Sequence, residues 1–491
     1  MIRSIRTICL GLSAAIVAAA TPAFSSRTPG PLGVTWGVLY GFPPAKSETF
    51  MPHARALGAS FARITLYWSQ LEPKQGTMRW NELDAYLDQL KAPEEGMITL
   101  AAASPWATRS KAWVFPSSPA TDPSTYEAFV RAVVEHAKGR VRYFQAETEP
   151  NNGFFWSGSA DDYAAEQRLF YKTVKAADPH AVVVLAGSDG LFDPTGADPM
   201  PGQDADLAFL SREIAGANGA FDLFDLHLYG NPYTIPVRVE AVRQAMRAAG
   251  TERPIIANEY AGPHFFEFHA NRRWFAALQG PGATPEAVRA LRARAATLPP
   301  ETRMFLQPDD AEMAARLFRL QSNDLVVRNM LALSSGVQRT AFFDLWHDTS
   351  QPDAPNTVLY GALKLLDHDA TGLNRELPLA APFRRLALAL AGTERVERIA
   401  LAANPDVYAF RVERRGRPAL LVAWRRPATL GDASAPLSVA IPWRGGIKDC
   451  AAIDGRTVPV TARQGRASQR SSLPRRRYWL NKVLMSLDDP L

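Results

Sequence analysis

The sequence predicts an α/β fold: a (β/α)8 barrel, or TIM barrel, followed by a small C-terminal β-sandwich. The length of 491 residues suffices for a barrel-sized domain and a second, smaller one. Between about residues 33 and 365, eight short apolar runs alternate with longer stretches of helical periodicity, which is typical of a parallel sheet closed into a barrel. After about residue 378 the pattern changes to period-two alternation interrupted by Pro and Gly, which is typical of antiparallel strands.

The eight predicted barrel strands are short runs of apolar and β-branched residues. They lie at 34–40, 61–67, 98–103, 141–146, 182–186, 223–229, 255–259 and 340–345. The clearest amphipathic stretches between them predict helices at 80–90, 125–138, 161–177, 237–248 and 311–333. An open doubly wound sheet is the alternative, although no glycine-rich phosphate loop follows the first strand, where that fold often carries one.

The chain divides into four predicted segments, which are a signal peptide at 1–23, the barrel at 30–375, the sandwich at 376–462 and a basic tail at 463–491. Arg3 and Arg6 precede an apolar run that is too short to span a bilayer, and small residues follow it. We therefore expect a secreted or periplasmic protein without stable membrane insertion once the signal is removed. An uncleaved anchor is the alternative.

The net charge of +6 is concentrated at the two ends of the chain. The first 23 residues contribute two positive charges and residues 458–491 contribute a net +5, so subtracting both from +6 leaves −1 for the body. A basic binding face is thus missing from the body, and we predict no nucleic-acid partner. The Arg- and Ser-rich tail at 463–491 is predicted to be disordered, with a reading-frame change at the end of the sandwich as the alternative.

Two Glu residues lie at the ends of predicted strands four and seven. Glu149 stands in a ten-residue stretch, 147–156, that also holds a second carboxylate, an amide pair and three aromatic residues, and Glu259 ends the run at 255–259. Catalytic groups of parallel barrels gather at the carboxyl ends of the strands, and strands four and seven lie on opposite sides of the mouth. Two carboxylates facing each other across a sugar are what cleavage of a glycosidic bond requires. A separation of roughly 5–5.5 Å predicts retention of configuration and a wider one inversion.

The motif Glu149-Pro150-Asn151, followed by Phe155-Trp156, resembles the acid/base motif of clan A glycoside hydrolases. The resemblance is greatest to family 39, which includes β-xylosidases and related enzymes acting on exopolysaccharides, and it covers roughly residues 33–367. It implies a TIM barrel followed by a sandwich, with Glu149 as general acid/base and Glu259 as nucleophile of a retaining mechanism that needs no cofactor.

One position departs from the clan's pattern. The clan usually has Asn directly before the acid/base, where its amide binds the sugar 2-hydroxyl, and this chain has Thr148. We therefore expect an altered contact to that hydroxyl and an unusual sugar at the cleaved position. Glu147 is the alternative acid, since in an extended strand it would point to the same side as Glu149.

Further residues are predicted to bind substrate. Arg63 on strand two would be costly to bury without a carboxylate partner, and in similar enzymes an Arg here keeps the nucleophile ionised. His227 and Tyr229 alternate on strand six, so an inward orientation would place Tyr229 on the nucleophile and His227 in the sugar pocket. A structural ion pair and a core histidine are the respective alternatives.

The remaining candidates are an amide and two aromatic side chains. Asn151 is expected to bind sugar hydroxyls. Trp346 ends strand eight, where related barrels place a sugar-stacking platform, and Trp156 is a second candidate platform. Packing in the core is the alternative for both tryptophans. The long connection at 260–309 is expected to roof the site.

Other chemistries lack their motifs. No His-Glu-x-x-His or paired-cysteine motif predicts a metal site, and no Gly-x-Ser-x-Gly motif predicts a serine hydrolase. The expected substrate is a β-linked oligo- or polysaccharide, cleaved as by a β-xylosidase or by an endo-acting exopolysaccharide hydrolase. A non-catalytic polysaccharide-binding barrel and a transglycosylase are the alternatives, and the sequence does not predict an oligomeric state.

Overall fold

Eight parallel strands form a closed barrel, which confirms the predicted fold class and excludes the open sheet. The computed structural model describes residues 3–4, 29–36, 50–188, 193–194, 202–279, 282–369, 372–430, 437–443, 447–454, 476–480 and 484–488. The barrel strands are β1 (Leu32–Thr35), β2 (Phe61–Tyr67), β3 (Glu95–Ala101), β4 (Tyr143–Ala146), β5 (Val182–Ala186), β6 (Leu223–Asp225), β7 (Ile255–Tyr260) and β8 (Val337–Phe343).

The inside of the barrel changes from apolar to polar along the strands. A cluster of seven buried side chains takes one residue from each of β2 to β8, namely Phe61, Met97, Tyr143, Val184, Leu223, Ile256 and Ala341. Two residues further along a strand the side chain lies on the same face. On five strands that next residue is a buried polar one: Arg63, Thr99, Gln145, Asp225 or Asn258. The polar layer therefore lies nearer the carboxyl ends of the strands, where a barrel carries its site.

Helices surround the barrel and form part of its loops. The α-helices within the described residues are α1 (Met51–Ala56), α2 (Trp68–Leu71), α3 (Asn81–Leu87), α4 (Pro123–Ala137), α5 (Ala160–Ala177), α6 (Gln203–Ala217), α7 (Ile235–Ala248), α8 (Phe275–Leu278), α9 (Pro285–Ala293), α10 (Pro300–Leu306), α11 (Ala311–Ser334), α12 (Pro355–Tyr360) and α13 (Ala380–Ala389). Short 3-10 helices occupy Pro232–Thr234, Phe265–Glu267, His269–Trp274 and Ala295–Thr297.

A capping box fixes the start of α5, the helix that follows the Glu149 loop. The Ser159 hydroxyl accepts a hydrogen bond from the Asp162 N–H over 3.1 Å, and the Asp162 carboxylate accepts one from the Ser159 N–H over 3.1 Å. Two N–H groups at the helix start are thereby satisfied. The loop between β4 and α5 thus has a defined end.

The long connection between β7 and α11, which is expected to roof the site, is largely helical. We call its described part, residues 262–279 and 282–310, the cap. The cap contains α8, α9 and α10 and shares a hydrophobic cluster that includes Phe265, Phe268, Val288, Leu291, Met304 and Phe305. Its His264 ring lies 6.4 Å from the Tyr229 ring, so the cap reaches the mouth of the barrel.

Antiparallel sheets follow the barrel, as the sandwich prediction requires. The strands are β9 (Leu366–Asp369), β10 (Gly372–Glu376), β11 (Thr393–Arg398), β12 (Val407–Arg414), β13 (Arg417–Arg425), β14 (Leu437–Trp443), β15 (Ile447–Ala452), β16 (Arg476–Leu480) and β17 (Leu484–Asp488). β9 and β10 form a hairpin, and a five-stranded sheet has the order β11-β12-β13-β17-β15. β14 pairs with β16, and the Trp424 Nε1–H donates to the Tyr233 hydroxyl over 3.1 Å and ties β13 to the barrel.

The structure describes the two ends of the chain only in part. The described residues of the tail at 463–491 are those of β16 and β17, and the disorder predicted for this tail stays a prediction. The rest of the tail and residues 1–23 lie outside the described residues, except for Arg3–Ser4, a two-residue strand paired with β14. Among the helices that the structure describes, none is long and apolar enough to cross a membrane.

Candidate active site

The backbone leaves the extended conformation directly after β4. Glu147 has a φ of 60° and Glu149 a φ of 41°, both in the left-handed region that non-glycine residues rarely adopt. The expectation that the two side chains point the same way assumed an extended strand, and it is wrong because β4 ends at Ala146. The turn separates the two carboxyl groups into different surroundings.

Glu147, the alternative acid, is fully buried and binds the main chain directly after β3. Its Oε1 accepts a hydrogen bond from the Ala102 N–H over 2.6 Å. Burial raises the pKa of Glu147 to about 7. Burial raises the pKa of Glu166 well above its usual value, and the negative charge of Glu147 is the next largest cause. Glu147 therefore belongs to a buried acid pair that supports the loop.

Glu149 contacts the end of β6 through a histidine. The Nδ1 atom of His227 lies 2.7 Å from Glu149 Oε1, and its Nε2 lies 3.1 Å from Asp225 Oδ2. The other Asp225 oxygen accepts a hydrogen bond from the Asn258 N–H over 2.8 Å. His227 and Asp225 are fully buried. The imidazole is therefore held on both sides, with one nitrogen directed at Glu149.

Glu259 is held by two groups that favour its ionised form. The Arg63 guanidinium donates to Glu259 Oε1, and the Tyr229 hydroxyl donates to Oε2 over 2.9 Å. Arg63 Nε also donates to Thr99 Oγ1 over 2.9 Å, which fixes the guanidinium in the barrel. A buried carboxylate with a buried cation and a hydroxyl donor is stabilised as an anion. Sequence reasoning placed Arg63 and Tyr229 at this carboxylate, and the structure brings them together.

The two Glu residues face each other across a short gap. One carboxyl oxygen of Glu149, one of Glu259 and a ring nitrogen of His227 lie within 4.8 Å of one another. Only 6% of each Glu is exposed. Three such groups could ligate a metal ion, but Glu259 already binds a cation and both His227 nitrogens have carboxylate partners. The set therefore fits a pair of carboxyl groups with different partners better than it fits metal binding.

The charges around Glu149 set its proton affinity. Burial is the largest effect and raises the pKa of Glu149, as does the nearby Glu259, while His227 and Arg63 act in the opposite direction. Burial lowers the pKa of His227, but Glu259 and Asp225 more than offset it and raise this pKa well above its usual value. The Glu149 carboxyl thus favours its protonated form, and the Glu259 carboxyl has a cationic donor and a hydroxyl donor.

Thr148 and Asn151, two predicted substrate contacts, lie beside Glu149. Thr148 is 2% exposed, and its hydroxyl has no hydrogen-bond partner among the described residues. Asn151 Nδ2 donates to Asp206 Oδ1 over 3.0 Å, which ties the loop to α6. A buried hydroxyl without a partner is costly, so Thr148 Oγ1 is available to a bound sugar, whereas the Asn151 amide nitrogen is already engaged.

The two predicted aromatic platforms differ in exposure. Trp156 is 2% exposed and packs edge-on against Tyr163 of α5, so its ring faces are closed to a sugar. Trp346 is partly exposed and packs near Trp36, at a ring distance of 6.4 Å, and near His368 at 4.9 Å. Its role as a platform stays a prediction. Phe343, the last residue of β8, lies 6.5 Å from the Tyr229 ring.

Asp344 and His264 were missed by sequence reasoning. Asp344 is fully buried, its Oδ1 has no partner among the described residues, and its Oδ2 lies 3.3 Å from His347 Nδ1. Burial raises the pKa of Asp344 to about 6, and the proximity of Glu259 also raises it. Its place directly after β8 was the available signal.

His264 contributes a second group without a partner. Its Nδ1 accepts from the Phe266 N–H over 3.4 Å, and its Nε2 has no partner in the described part of the chain. Burial lowers the pKa of His264 to about 4, so the ring is neutral at pH 7. Since Nδ1 accepts, Nε2 carries the proton and can donate.

Several solved structures with this fold are glycoside hydrolases, although no protein-family model and no curated protein matches the sequence. The chain is similar to a family 39 glycoside hydrolase from Bacteroides cellulosilyticus WH2, with a TM-score of 0.60, 14% identity, and coverage of 94% of this chain and 81% of that one. For a monomeric β-xylosidase from Caulobacter crescentus CB15 the TM-score is 0.54 and the identity 15%, over 95% and 98% of the chains. For a family 51 α-L-arabinofuranosidase from Bifidobacterium longum the TM-score is 0.53 and the identity 14%, over 98% of this chain and 99% of that one. The chain therefore has the fold of clan A glycoside hydrolases, similar to that of family 39.

Proposed function

We propose that the chain is an exported, retaining glycoside hydrolase that cleaves β-glycosidic bonds in an oligo- or polysaccharide. The observation that carries the proposal is the buried pair Glu149 and Glu259, with carboxyl oxygens within 4.8 Å of each other. That gap is of the size expected for a double displacement, and it leaves less room for the water that an inverting enzyme places between its carboxyl groups. The fold shared with several glycoside hydrolases supports the same reaction class.

In the first step Glu149 donates its proton to the leaving-group oxygen while the Glu259 carboxylate attacks the anomeric carbon. The glycosidic C–O bond breaks, the leaving group departs as an alcohol, and a covalent glycosyl-enzyme forms on Glu259. In the second step Glu149, now a carboxylate, takes a proton from water, whose oxygen attacks the anomeric carbon and releases Glu259. Two inversions give net retention.

The surrounding residues support these proton positions. Burial raises the pKa of Glu149, which favours the acid form needed in the first step. The Arg63 cation and the Tyr229 hydroxyl favour the anion needed on Glu259. When Glu259 is glycosylated, the local negative charge disappears and Glu149 loses its proton more readily, as the second step requires.

The sugar at the cleaved position would be bound by buried groups that have no hydrogen-bond partner among the described residues. Thr148 Oγ1, Asp344 Oδ1 and His264 Nε2 are such groups, and they offer both acceptors and donors to sugar hydroxyls. The names of the similar structures suggest a β-xyloside as the first substrate to test. An endo-acting exopolysaccharide hydrolase is the other candidate.

The experiment is turnover of aryl β-xyloside, glucoside, galactoside and arabinoside by the wild type, Glu149→Gln and Glu259→Gln. We expect Glu259→Gln to lose roughly a thousandfold or more of kcat with every substrate. Glu149→Gln should keep the release of a good leaving group and lose that of a poor one. A wild type that binds oligosaccharides and cleaves none would overturn the proposal in favour of a carbohydrate-binding barrel.

A further inference from the structure

An exposed aromatic surface lies on the loops beside Glu149. Three large apolar side chains are exposed in the described part of the chain, namely Trp113 at 54%, Phe154 at 62% and Val237 at 40%. Two of these three are aromatic and lie on the neighbouring loops after β3 and β4. We call these two residues, together with Phe115 and Phe155, the aromatic rim. Ring contacts join its three phenylalanines, and Trp113 precedes Phe115 by two residues on the same loop.

The aromatic rim is continuous with the candidate active site. Phe154 follows Glu149 by five residues on the same loop. Phe115 packs edge-on against Tyr67, the last residue of β2, with ring centres 5.1 Å apart. Tyr67 lies four residues after Arg63 on β2 and therefore on the same face of the strand, so Tyr67 lies between the site and the rim.

Main-chain hydrogen bonds join the two loops that carry the rim. The Ser117 N–H donates to the Phe155 carbonyl over 2.7 Å, and the Ser157 N–H donates to the Ser117 carbonyl over 2.9 Å. Phe155 packs edge-on against Phe115 at 4.7 Å and against Phe154 at 4.9 Å. The exposed ring of Phe154 is therefore held in place before any ligand binds, which lowers the entropy lost on binding.

The position next to the acid residue indicates what the aromatic rim binds. In a double displacement the acid donates to the leaving-group oxygen, so the leaving group must extend from the cleaved bond on the Glu149 side. We propose that the aromatic rim is a binding surface for the leaving-group part of the substrate, consisting of the one or two pyranose rings beyond the cleaved bond. The proposal rests on the proposed function and deepens it, since it makes the substrate an oligo- or polysaccharide.

Size favours a sugar over a protein partner. A stable protein interface buries roughly 800 Å² on each partner, and the two exposed rings of Trp113 and Phe154 supply only part of such an area. One flat ring matches one pyranose face, and exposed apolar patches at a site mark ligand binding. The uncharged rings also do not select a charged leaving group.

The test compares substrates with and without a leaving-group sugar. β-Xylosyl, β-glucosyl and β-galactosyl fluorides lose only fluoride, whereas β-1,4-linked tetraoses of the same sugars require binding beyond the cleaved bond. The variants are Trp113→Ala, Phe154→Ala and their combination. Val237→Ala is the matched control, because it removes the third exposed apolar side chain, on α7. All three substituted positions are exposed, so thermal unfolding should show unchanged folding.

We expect the double variant to lose about tenfold or more of kcat/KM for the cleaved tetraose, as for removal of stacked aromatic contacts, while its kcat/KM for the matching fluoride stays within about twofold. Val237→Ala should match the wild type on both substrates. An unchanged ratio of tetraose to fluoride activity in the double variant would overturn the inference and leave the proposed function intact. A wild type that cleaves none of the fluorides and tetraoses would overturn the proposed function, and the inference with it.

Discussion

The Nδ1 atom of His227 lies 2.7 Å from Oε1 of Glu149, so a fully buried imidazole and the proposed acid share one hydrogen bond. The other imidazole nitrogen is held by Asp225, which fixes the ring. His227 favours the ionised form of Glu149, whereas Glu259 favours the protonated form. The proton affinity of the acid is therefore set by two neighbours that act in opposite directions.

Removal of Glu259 or of His227 should shift the pKa of Glu149 in opposite directions. Glu259→Gln removes a negative charge beside Glu149 and should lower the pKa of Glu149, whereas His227→Ala removes a hydrogen-bond partner of its carboxylate and should raise it. Carbon-13 NMR of carboxyl-labelled Glu follows the titration in both variants. Shifts of the same sign in the two variants would contradict this account.

The pH dependence of the wild type follows from the same group. Glu149 must be protonated in the first step, so kcat/KM should fall as pH rises through its pKa. Because burial raises that pKa, the fall should occur above the pH at which an ordinary Glu releases its proton, and His227→Ala should move it further up. An alkaline limb at the position of an unperturbed Glu would argue against Glu149 as the acid.

Tyr229→Phe should slow turnover without changing the fold. The substitution removes only the hydroxyl that donates to Glu259 Oε2 over 2.9 Å. Loss of a hydrogen bond to a charged group costs roughly 1.5–3 kcal/mol, which corresponds to about a ten- to hundredfold fall in kcat. Tyr171→Phe, which removes a hydroxyl on α5 that lies 3.4 Å from Asp222, is the matched control and should retain full activity.

Asp344→Asn should weaken sugar binding, because its Oδ1 is buried without a partner near Glu259. We expect kcat/KM to fall about ten- to hundredfold, the range expected when a site loses a contact to a substrate hydroxyl. Asp348→Asn, at an exposed position four residues later, is the control. Equal activities of the two variants would remove Asp344 from the sugar site.

Glu147 should limit stability at neutral pH. Burial raises its pKa from 4.5 to about 7, so the folded chain keeps a proton that the unfolded chain releases. The unfolded state then binds fewer protons between these values, and stability falls as pH rises from about 4.5 to about 7. Glu147→Gln removes this titration.

Calorimetry at pH 5 and pH 8 measures the effect. The Tm of Glu147→Gln minus that of the wild type should increase by about 2 °C between the two pH values. Glu135→Gln makes the same change at an exposed position on α4 and should show no such increase. A constant difference for Glu147→Gln would mean that Glu147 does not titrate in this range.

Much of the barrel could be predicted, because the period of the apolar residues determines where each strand lies and which of its side chains point into the barrel. The strand at 223–229 was predicted from alternation, and β6 ends earlier, at Asp225. His227 and Tyr229 nevertheless reach the two carboxyl groups, since the Leu226 and Leu228 N–H groups still bond to the carbonyls of Ile256 and Glu259. The alternation of side-chain directions therefore continues beyond the end of β6.

Other features depend on geometry that the residue pattern does not encode. The positive φ angles of Glu147 and Glu149 determine which carboxyl group faces Glu259. Alternation alone predicted that both side chains would point to the same side. Trp346 is predicted as a platform because it is aromatic and follows strand eight; β8 ends three residues earlier, at Phe343, so the direction of the Trp346 ring depends on the loop and not on alternation. Asp344 was overlooked because a lone Asp in a loop is most often exposed, and only the fold shows that it is buried.

The closure of the barrel has a consequence for how the protein is made. β1 pairs with β8, which joins Leu32 to Thr340, so the first barrel strand must wait for the last barrel strand to leave the ribosome. Until then, a nascent chain that already contains Arg63, Glu149 and Glu259 has an open sheet whose two edges present unpaired backbone groups. Such long-range pairing is slow and exposes edges that aggregate. Chaperone protection during synthesis is therefore expected to matter more for yield than any single contact in the site.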